Sequence, residues 1–227
     1  MMTGAVAARR AMAAAAGLLV SMQVAAACSG PAEVREARPL AVKAHVLATG
    51  KAVLSFAGYS GAEYEDPEAM LSHAERALAA RRPADTLVNI GATAVGIGAV
   101  YELAKRMGFT TIGIVSTQAR DEKSELSPCV DLVFYVPDAR WGGTLPGTDR
   151  LSPTSQAIVE ASEAYVAIGG GDVTRDEALA LQRAGRPVTF IPADMNHRIA
   201  SDKARKANRP EPTDFQGSAH KALMPGR

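Results

Sequence analysis

The chain has little of what marks several common classes of protein. Its 227 residues carry a formal net charge of +1, so neither a strongly basic surface nor a nucleic-acid partner is expected. Two cysteines, Cys28 and Cys129, are too few for a disulfide-rich scaffold. The four histidines show no spacing typical of metal ligands, and neither a metal nor a cofactor is expected. With 47% hydrophobic and 22% charged residues, the composition is that of a globular protein.

The start of the chain is typical of an export signal rather than of a folded domain. Arg9 and Arg10 precede an uncharged, alanine-rich run that continues to Ala27, which is the pattern of a signal peptide over residues 1–27. The run is barely long enough to span a bilayer, so a retained membrane helix is the weaker interpretation. The alternative is a mis-assigned start codon, with a cytoplasmic protein that begins near Met22 or later.

The cysteine after this run resembles the lipobox cysteine of bacterial lipoproteins. Cys28 directly follows three alanines. The resemblance implies that Cys28 carries a lipid and anchors the exported protein to a membrane, on the periplasmic side or at the cell surface. Cys129 would then have no partner, and an unpaired cysteine is usually buried and inert. Residues 28–40 are charged and punctuated by proline, and are predicted to be a tether.

Residues 41–195 alternate short β-rich runs with helical patterns. The predicted strands are 42–48, 52–57, 86–90, 110–116, 132–136, 165–168 and 187–191; the predicted helices are 66–82, a segment after 96 to about 107, 152–162 and 174–184. This alternation predicts an α/β fold of three Rossmann-like layers, a mostly parallel sheet with helices on both faces. Residues 196–227 are polar and basic and are predicted to be a loosely packed tail.

Glycines gather where the predicted strands end. Ligands bind outside the carboxyl ends of parallel strands, where five loops are expected, at 58–61, 91–96, 117–120, 137–143 and 169–174. In the last of these, three consecutive glycines let the backbone turn tightly before a helix, whose N-terminus attracts an anion such as phosphate. Thr174 is expected to cap that helix and to donate its hydroxyl to the same anion. The alternative is an ordinary strand–helix turn without a ligand.

Residues 169–177 resemble the signature of the Lonely Guy phosphoribohydrolases, members of the SLOG superfamily, which also includes the DNA-processing protein DprA. The signature is Pro-Gly-Gly-x-Gly-Thr-x-x-Glu, and the chain keeps its two central glycines, its threonine (Thr174) and its glutamate (Glu177). Gly169 replaces the proline, and Val173 replaces the third glycine. Residues 91–98 and 58–61 resemble two earlier glycine segments of the family. The resemblance covers about residues 50–195.

The resemblance implies a pocket for a nucleotide or phosphoribosyl-like ligand, and a homodimer. The implied binding residues are Gly58, Tyr59, Ser60, Gly61, Gly91, Thr93, Gly96, Gly169, Gly170, Gly171 and Thr174. Two functions remain open: binding without chemistry, and hydrolysis of the N-glycosidic bond of a nucleoside monophosphate. Hydrolysis needs a carboxylate beside the developing positive charge of the sugar, which the resemblance assigns to Glu177. It also needs a cation, for which Arg120 is the first candidate and Arg140 the second.

Three of the candidate residues also have a purely structural interpretation. Glu177 can simply complement the dipole of the helix in which it lies. Trp141, the only tryptophan, can stack on a base or sugar, or can pack as a lid. Tyr59 can line the mouth of the pocket or pack on the first core helix.

Overall fold

The structure is a computed structural model that describes residues 28–224. The predicted signal peptide, residues 1–27, lies outside the described residues. The strands are β1 (Glu33–Glu36), β2 (Ala52–Gly58), β3 (Thr86–Asn89), β4 (Thr110–Ser116), β5 (Leu132–Val136), β6 (Ala164–Ile168) and β7 (Val188–Ile191). The helices are α1 (Pro39–Thr49), α2 (Pro67–Ala79), α3 (Val100–Arg106), α4 (Gln118–Asp121), α5 (Pro153–Ala161), α6 (Asp172–Arg183), α7 (His197–Lys206) and α8 (Ser218–Leu223).

All seven strands form one parallel sheet, which confirms the predicted α/β Rossmann-like fold. Their spatial order is β1-β5-β4-β3-β2-β6-β7. From β2 the chain moves through β3 and β4 toward one edge of the sheet, and then returns to the other side of β2 as β6. The order therefore reverses between β2 and β6, and the crevice at the carboxyl ends of these strands is the usual ligand site of such sheets.

Helices cover both faces of the sheet and divide the core into two apolar layers. On one face, Val42 of α1, Ile158 of α5 and Leu181 of α6 pack against the strands. On the other face, Met70 of α2 and Tyr101 of α3 do the same. Because both faces are covered, β5 and β6 are almost entirely buried along their length, which is why they are continuously apolar in sequence.

The first predicted strand is wrong, because residues 42–48 belong to α1. Pro39 occupies the first turn of this helix, and Gly50 ends it with a left-handed φ of 66°. Val42 and Val46, four residues apart, lie on one buried helical face. Their β-branched side chains suggested a strand, but the helical spacing and the intervening alanines favour a helix.

The predicted tether and the predicted unpaired thiol are also wrong. Residues 33–36 form the edge strand β1, which pairs with β5 in parallel and is exposed along its length. Cys28 and Cys129 form a disulfide across a sequence separation of 101 residues. The disulfide contradicts lipidation of Cys28, since a thioether-linked lipid needs the same Sγ atom. Among residues 28–224, no helix is both long and apolar enough to cross a membrane.

The C-terminal segment is folded onto the domain, contrary to the prediction of a loosely packed tail. It contains α7 and α8, and α8 packs against α6. The N–H of Met195 donates to the carbonyl of Phe215 over 2.9 Å, and the ring of His197 stacks on the ring of Phe215 with centroids 3.8 Å apart. These contacts bring the segment after Pro212 to the carboxyl edge of the sheet.

Candidate functional site

A cavity of about 730 Å³ opens at the carboxyl edge of the sheet, at the point where the strand order reverses. Its volume lies within the range of ordinary small-molecule sites. The apolar part of its wall comes from the strands, from the segments that follow them and from α5, and includes Phe56, Ile90, Ile97, Val115, Leu126 and Ile158. This lining suits a ring or another largely apolar group.

The three consecutive glycines have different roles in the turn between β6 and α6. Gly169 (φ 57°) and Gly170 (φ 116°) are left-handed, a conformation that favours glycine. A Cβ at Gly169 would lie 2.5 Å from the Tyr59 ring, and one at Gly170 would lie 2.5 Å from Thr174 Oγ1. Neither residue lines the cavity. Gly171 does line it, and a Cβ there would meet no atom within 4 Å.

Two backbone amides of this turn face acceptors within the protein, and the other four do not. The N–H of Gly169 donates to the carbonyl of Ile191 over 2.8 Å. Burial raises the pKa of Tyr59, and the amides of Gly217 and Gly170, which face its hydroxyl, oppose that rise. Within residues 28–224, the amides of residues 171–174 have no acceptor, although all four residues line the cavity. Of the loop 169–174, which was predicted to bind an anion, only residues 171–174 have amides without an acceptor among the described residues.

Thr174 does not cap the helix as predicted. The helix begins at Asp172, so the N-cap position belongs to Gly171 and Thr174 lies in the first turn. Its buried side chain rests against Gly170. Thr174 still lines the cavity, and its amide is one of the four that point out of the helix end.

Glu177 lies at the inner wall of the cavity and is 2% exposed. Its carboxylate accepts the hydroxyl of Ser155 over 2.6 Å and the hydroxyl of Tyr165 over 2.7 Å. Burial raises the pKa of Glu177 to about 7, and the two hydroxyls act against that rise. Ser155 in turn accepts the N–H of Gly143 over 2.7 Å. The carboxylate therefore joins α5, β6 and α6 from the inside.

The cationic partner that hydrolysis requires is missing from this cavity. Among the described residues that line it, three are acidic (Glu125, Asp172 and Glu177), and none is lysine, arginine or histidine. Arg120 instead pairs with Glu36 of β1 and lies over the ring of Tyr135 at 4.7 Å. The predicted pairing of Glu177 with Arg120 is therefore wrong, because the ion pair with Glu36 holds Arg120 at the edge of the sheet.

A second cleft, of about 850 Å³, adjoins the cavity and shares Trp141, Asp172 and Val173 with it. Trp141 is 44% exposed, so it stands at the junction rather than inside the core. Arg140 and Arg175 line the second cleft. The guanidinium of Arg175 is already held by Asp176 and Asp172, at N···O distances of 2.7 and 2.8 Å.

Most of the predicted binding residues meet in the cavity. Those that line it are Gly58, Tyr59, Ser60, Gly91, Thr93, Gly171 and Thr174, together with Glu177. Gly61, Gly96, Gly169 and Gly170 do not line it. Gly96 instead allows close packing, because a Cβ there would overlap the carbonyl oxygens of Tyr59 and Ser60.

Sequence reasoning missed two parts of the wall. Asn89 ends β3, and its side-chain oxygen accepts the N–H of Ile114 over 3.1 Å. A polar residue at the end of an apolar strand was the available signal for it. Residues 124–126 also line the cavity, held near it by a bridge between Thr93 and Leu126. This segment has no glycine and no motif, so no local signal marked it.

Comparison with known proteins adds likenesses at the level of the fold. No protein-family model matches the chain, and no curated protein matches it. Among solved structures, the Moco carrier protein from Chlamydomonas reinhardtii is 18% identical, with 70% of this chain and 85% of that chain covered and a TM-score of 0.45. The molybdenum cofactor binding protein from the phototrophic bacterium Rippkaea orientalis is 19% identical over the same shares, with a TM-score of 0.47. At these values the likenesses say nothing about a ligand or an activity.

Proposed function

We propose that the cavity binds a nucleotide or a phosphoribosyl-like ligand. The carrying observation is that residues 171–174, whose four consecutive amides have no acceptor among the described residues, line a cavity at the switch point of the sheet. Such amides, at the positive end of α6, are donors for an anionic group. The apolar inner wall accommodates the ring of the ligand, and Trp141 stands where it can stack on a base or sugar.

The charges around the cavity favour binding over hydrolysis. Cleavage of an N-glycosidic bond needs a cation as well as a carboxylate. Glu177 supplies the carboxylate, but the described residues that line the cavity include no cation. Its carboxylate is already engaged by the hydroxyls of Ser155 and Tyr165. Binding without chemistry is thus the better supported function, and hydrolysis of a nucleoside monophosphate remains the alternative.

The protein is proposed to act outside the cytoplasm. The disulfide between Cys28 and Cys129 supports export, because disulfides persist mainly in oxidising compartments. The signal-like leader at residues 1–27 supports the same location. A lipid anchor on Cys28 is not part of this proposal. Homodimerisation stays a prediction from the family resemblance.

Replacing Gly171 by valine tests the anion site. A Cβ at this position meets no protein atom within 4 Å, and φ is −96°, so the fold is retained. The added methyl groups occupy the space in front of the amides and should weaken AMP binding by about tenfold or more, measured by titration calorimetry.

Gly61→Val is the matched control, because Gly61 lies in a neighbouring loop but not in the cavity wall. Equal AMP affinity in the two variants would contradict the site. Release of adenine from AMP by the unmodified protein, abolished by Glu177→Gln, would instead establish the hydrolase alternative.

A further inference from the structure

A short C-terminal segment contacts the back of the glycine turn. Residues 215–219, here called the strap, cross behind the turn without lining the cavity. The N–H of Gly217 donates to the hydroxyl of Tyr59 over 2.7 Å, and the N–H of Ala219 donates to the carbonyl of Gly170 over 3.2 Å. The hydroxyl of Ser218 donates to Asp172 Oδ1 over 2.6 Å. The strap thus touches the turn on both sides of Gly171.

The bond to the Gly170 carbonyl fixes the direction of the next amide. In a trans peptide, the C=O of one residue and the N–H of the next point in opposite directions. No cis peptide occurs among the described residues. Because the Gly170 carbonyl points toward the strap, the N–H of Gly171 points away from it. Gly171 lines the cavity, whereas residues 215–219 do not.

The fit between strap and turn leaves no space for a side chain at Gly217. Its φ of −78° suits any residue, so glycine is not required by the backbone. A Cβ there would overlap the carbonyl oxygen of Gly170 and would lie 3.1 Å from the Tyr59 ring. Close approach to the turn is therefore the reason for glycine at this position. The far end of the strap is held by Phe215, through the ring of His197 and the N–H of Met195.

We propose that the strap is a positioning element, which holds the Gly170–Gly171 peptide so that its N–H, and not its C=O, faces the cavity. Both residues are glycines, so the peptide between them meets little steric resistance to rotation. Rotation would bring a carbonyl oxygen to the position of the anion and repel it. This inference rests on the proposed anion site, but the orientation of the peptide can be measured without a ligand.

The test compares Gly217→Ala with Gly61→Ala in the full chain, using inorganic phosphate as the probe. Cross-peaks of backbone amides report both phosphate binding and motion of the turn. We expect Gly217→Ala to move the Gly171 cross-peak, to add microsecond-to-millisecond exchange there, and to weaken phosphate binding by about tenfold. Gly61→Ala, whose Cβ meets only Lys203 Nζ at 3.6 Å, should change none of these.

Two outcomes separate failure of the strap from failure of the anion site. An unmoved, exchange-free Gly171 cross-peak in Gly217→Ala overturns the positioning role, whatever the phosphate result. No phosphate binding by the unmodified protein, together with a moved Gly171 cross-peak in Gly217→Ala, contradicts the anion site and supports the strap. If Gly217→Ala does not fold, Phe215→Ala, which loosens the anchored end, is measured in the same way.

Discussion

Reduction of the Cys28–Cys129 disulfide should lower the free energy of unfolding by about 2–5 kcal/mol. The bond joins residues 101 positions apart, and closing a loop of that length lowers the conformational entropy of the unfolded chain. It also fixes the segment before β1, an exposed edge strand with a single neighbour, β5. Urea unfolding of the oxidised and the reduced protein measures the difference.

Cysteine variants provide the control for this prediction. Cys28→Ser, Cys129→Ser and the double variant should all be destabilised to a similar degree, because any one of them removes the same bond. Intact mass and a thiol titration of the denatured protein should show no free thiol before reduction and two after it. One free thiol and an added lipid mass would contradict the disulfide.

The free energy of unfolding should fall as the pH rises from about 4.5 to about 7, and Glu177 should account for much of the fall. Its pKa is raised from 4.5 in the unfolded chain to about 7 in the folded protein. Between these values the folded state holds a proton that the unfolded state releases, so Glu177 favours folding at low pH and loses this contribution as the pH approaches 7. The shift corresponds to about 3 kcal/mol between pH 4.5 and pH 8.

Glu177→Gln should remove this dependence, because its amide is neutral at every pH and still bonds to Ser155 and Tyr165. Unfolding free energies of both proteins, measured from pH 4.5 to pH 8, give the difference that belongs to Glu177. Glu163→Gln is the matched control, since Glu163 is an exposed carboxylate. If the unfolding free energy of Glu177→Gln changed with pH as that of the unmodified protein does, the pKa of Glu177 would not be raised in the folded state.

The fold was predictable from the sequence because its central strands are buried on both faces. β5 is a continuous apolar run, β4 is buried at every residue except its first, and the limits of both strands were predicted as the structure has them. Prediction was less accurate at the edge of the sheet. The edge strand β1 buries nothing, so its residues had no apolar pattern and suggested a tether.

The candidate site was predictable only in part, because glycine marks a turn but not the direction of its amides. All three glycines of the turn were predicted to bind the ligand, yet only Gly171 lines the cavity. Gly169 and Gly170 are needed for backbone conformation and for room beside Tyr59 and Thr174. The path of Arg120 toward Glu36 and the docking of the strap depend on contacts between distant parts of the chain. No local pattern encodes such contacts.

Titration of the labelled protein with AMP, followed by the backbone amide cross-peaks, is the most direct test of the proposed site. The account predicts a saturable shift concentrated in the amides of residues 171–174, with a weaker response of the Trp141 indole at the junction of the two cavities. Saturable binding that leaves these four amides unmoved would contradict it.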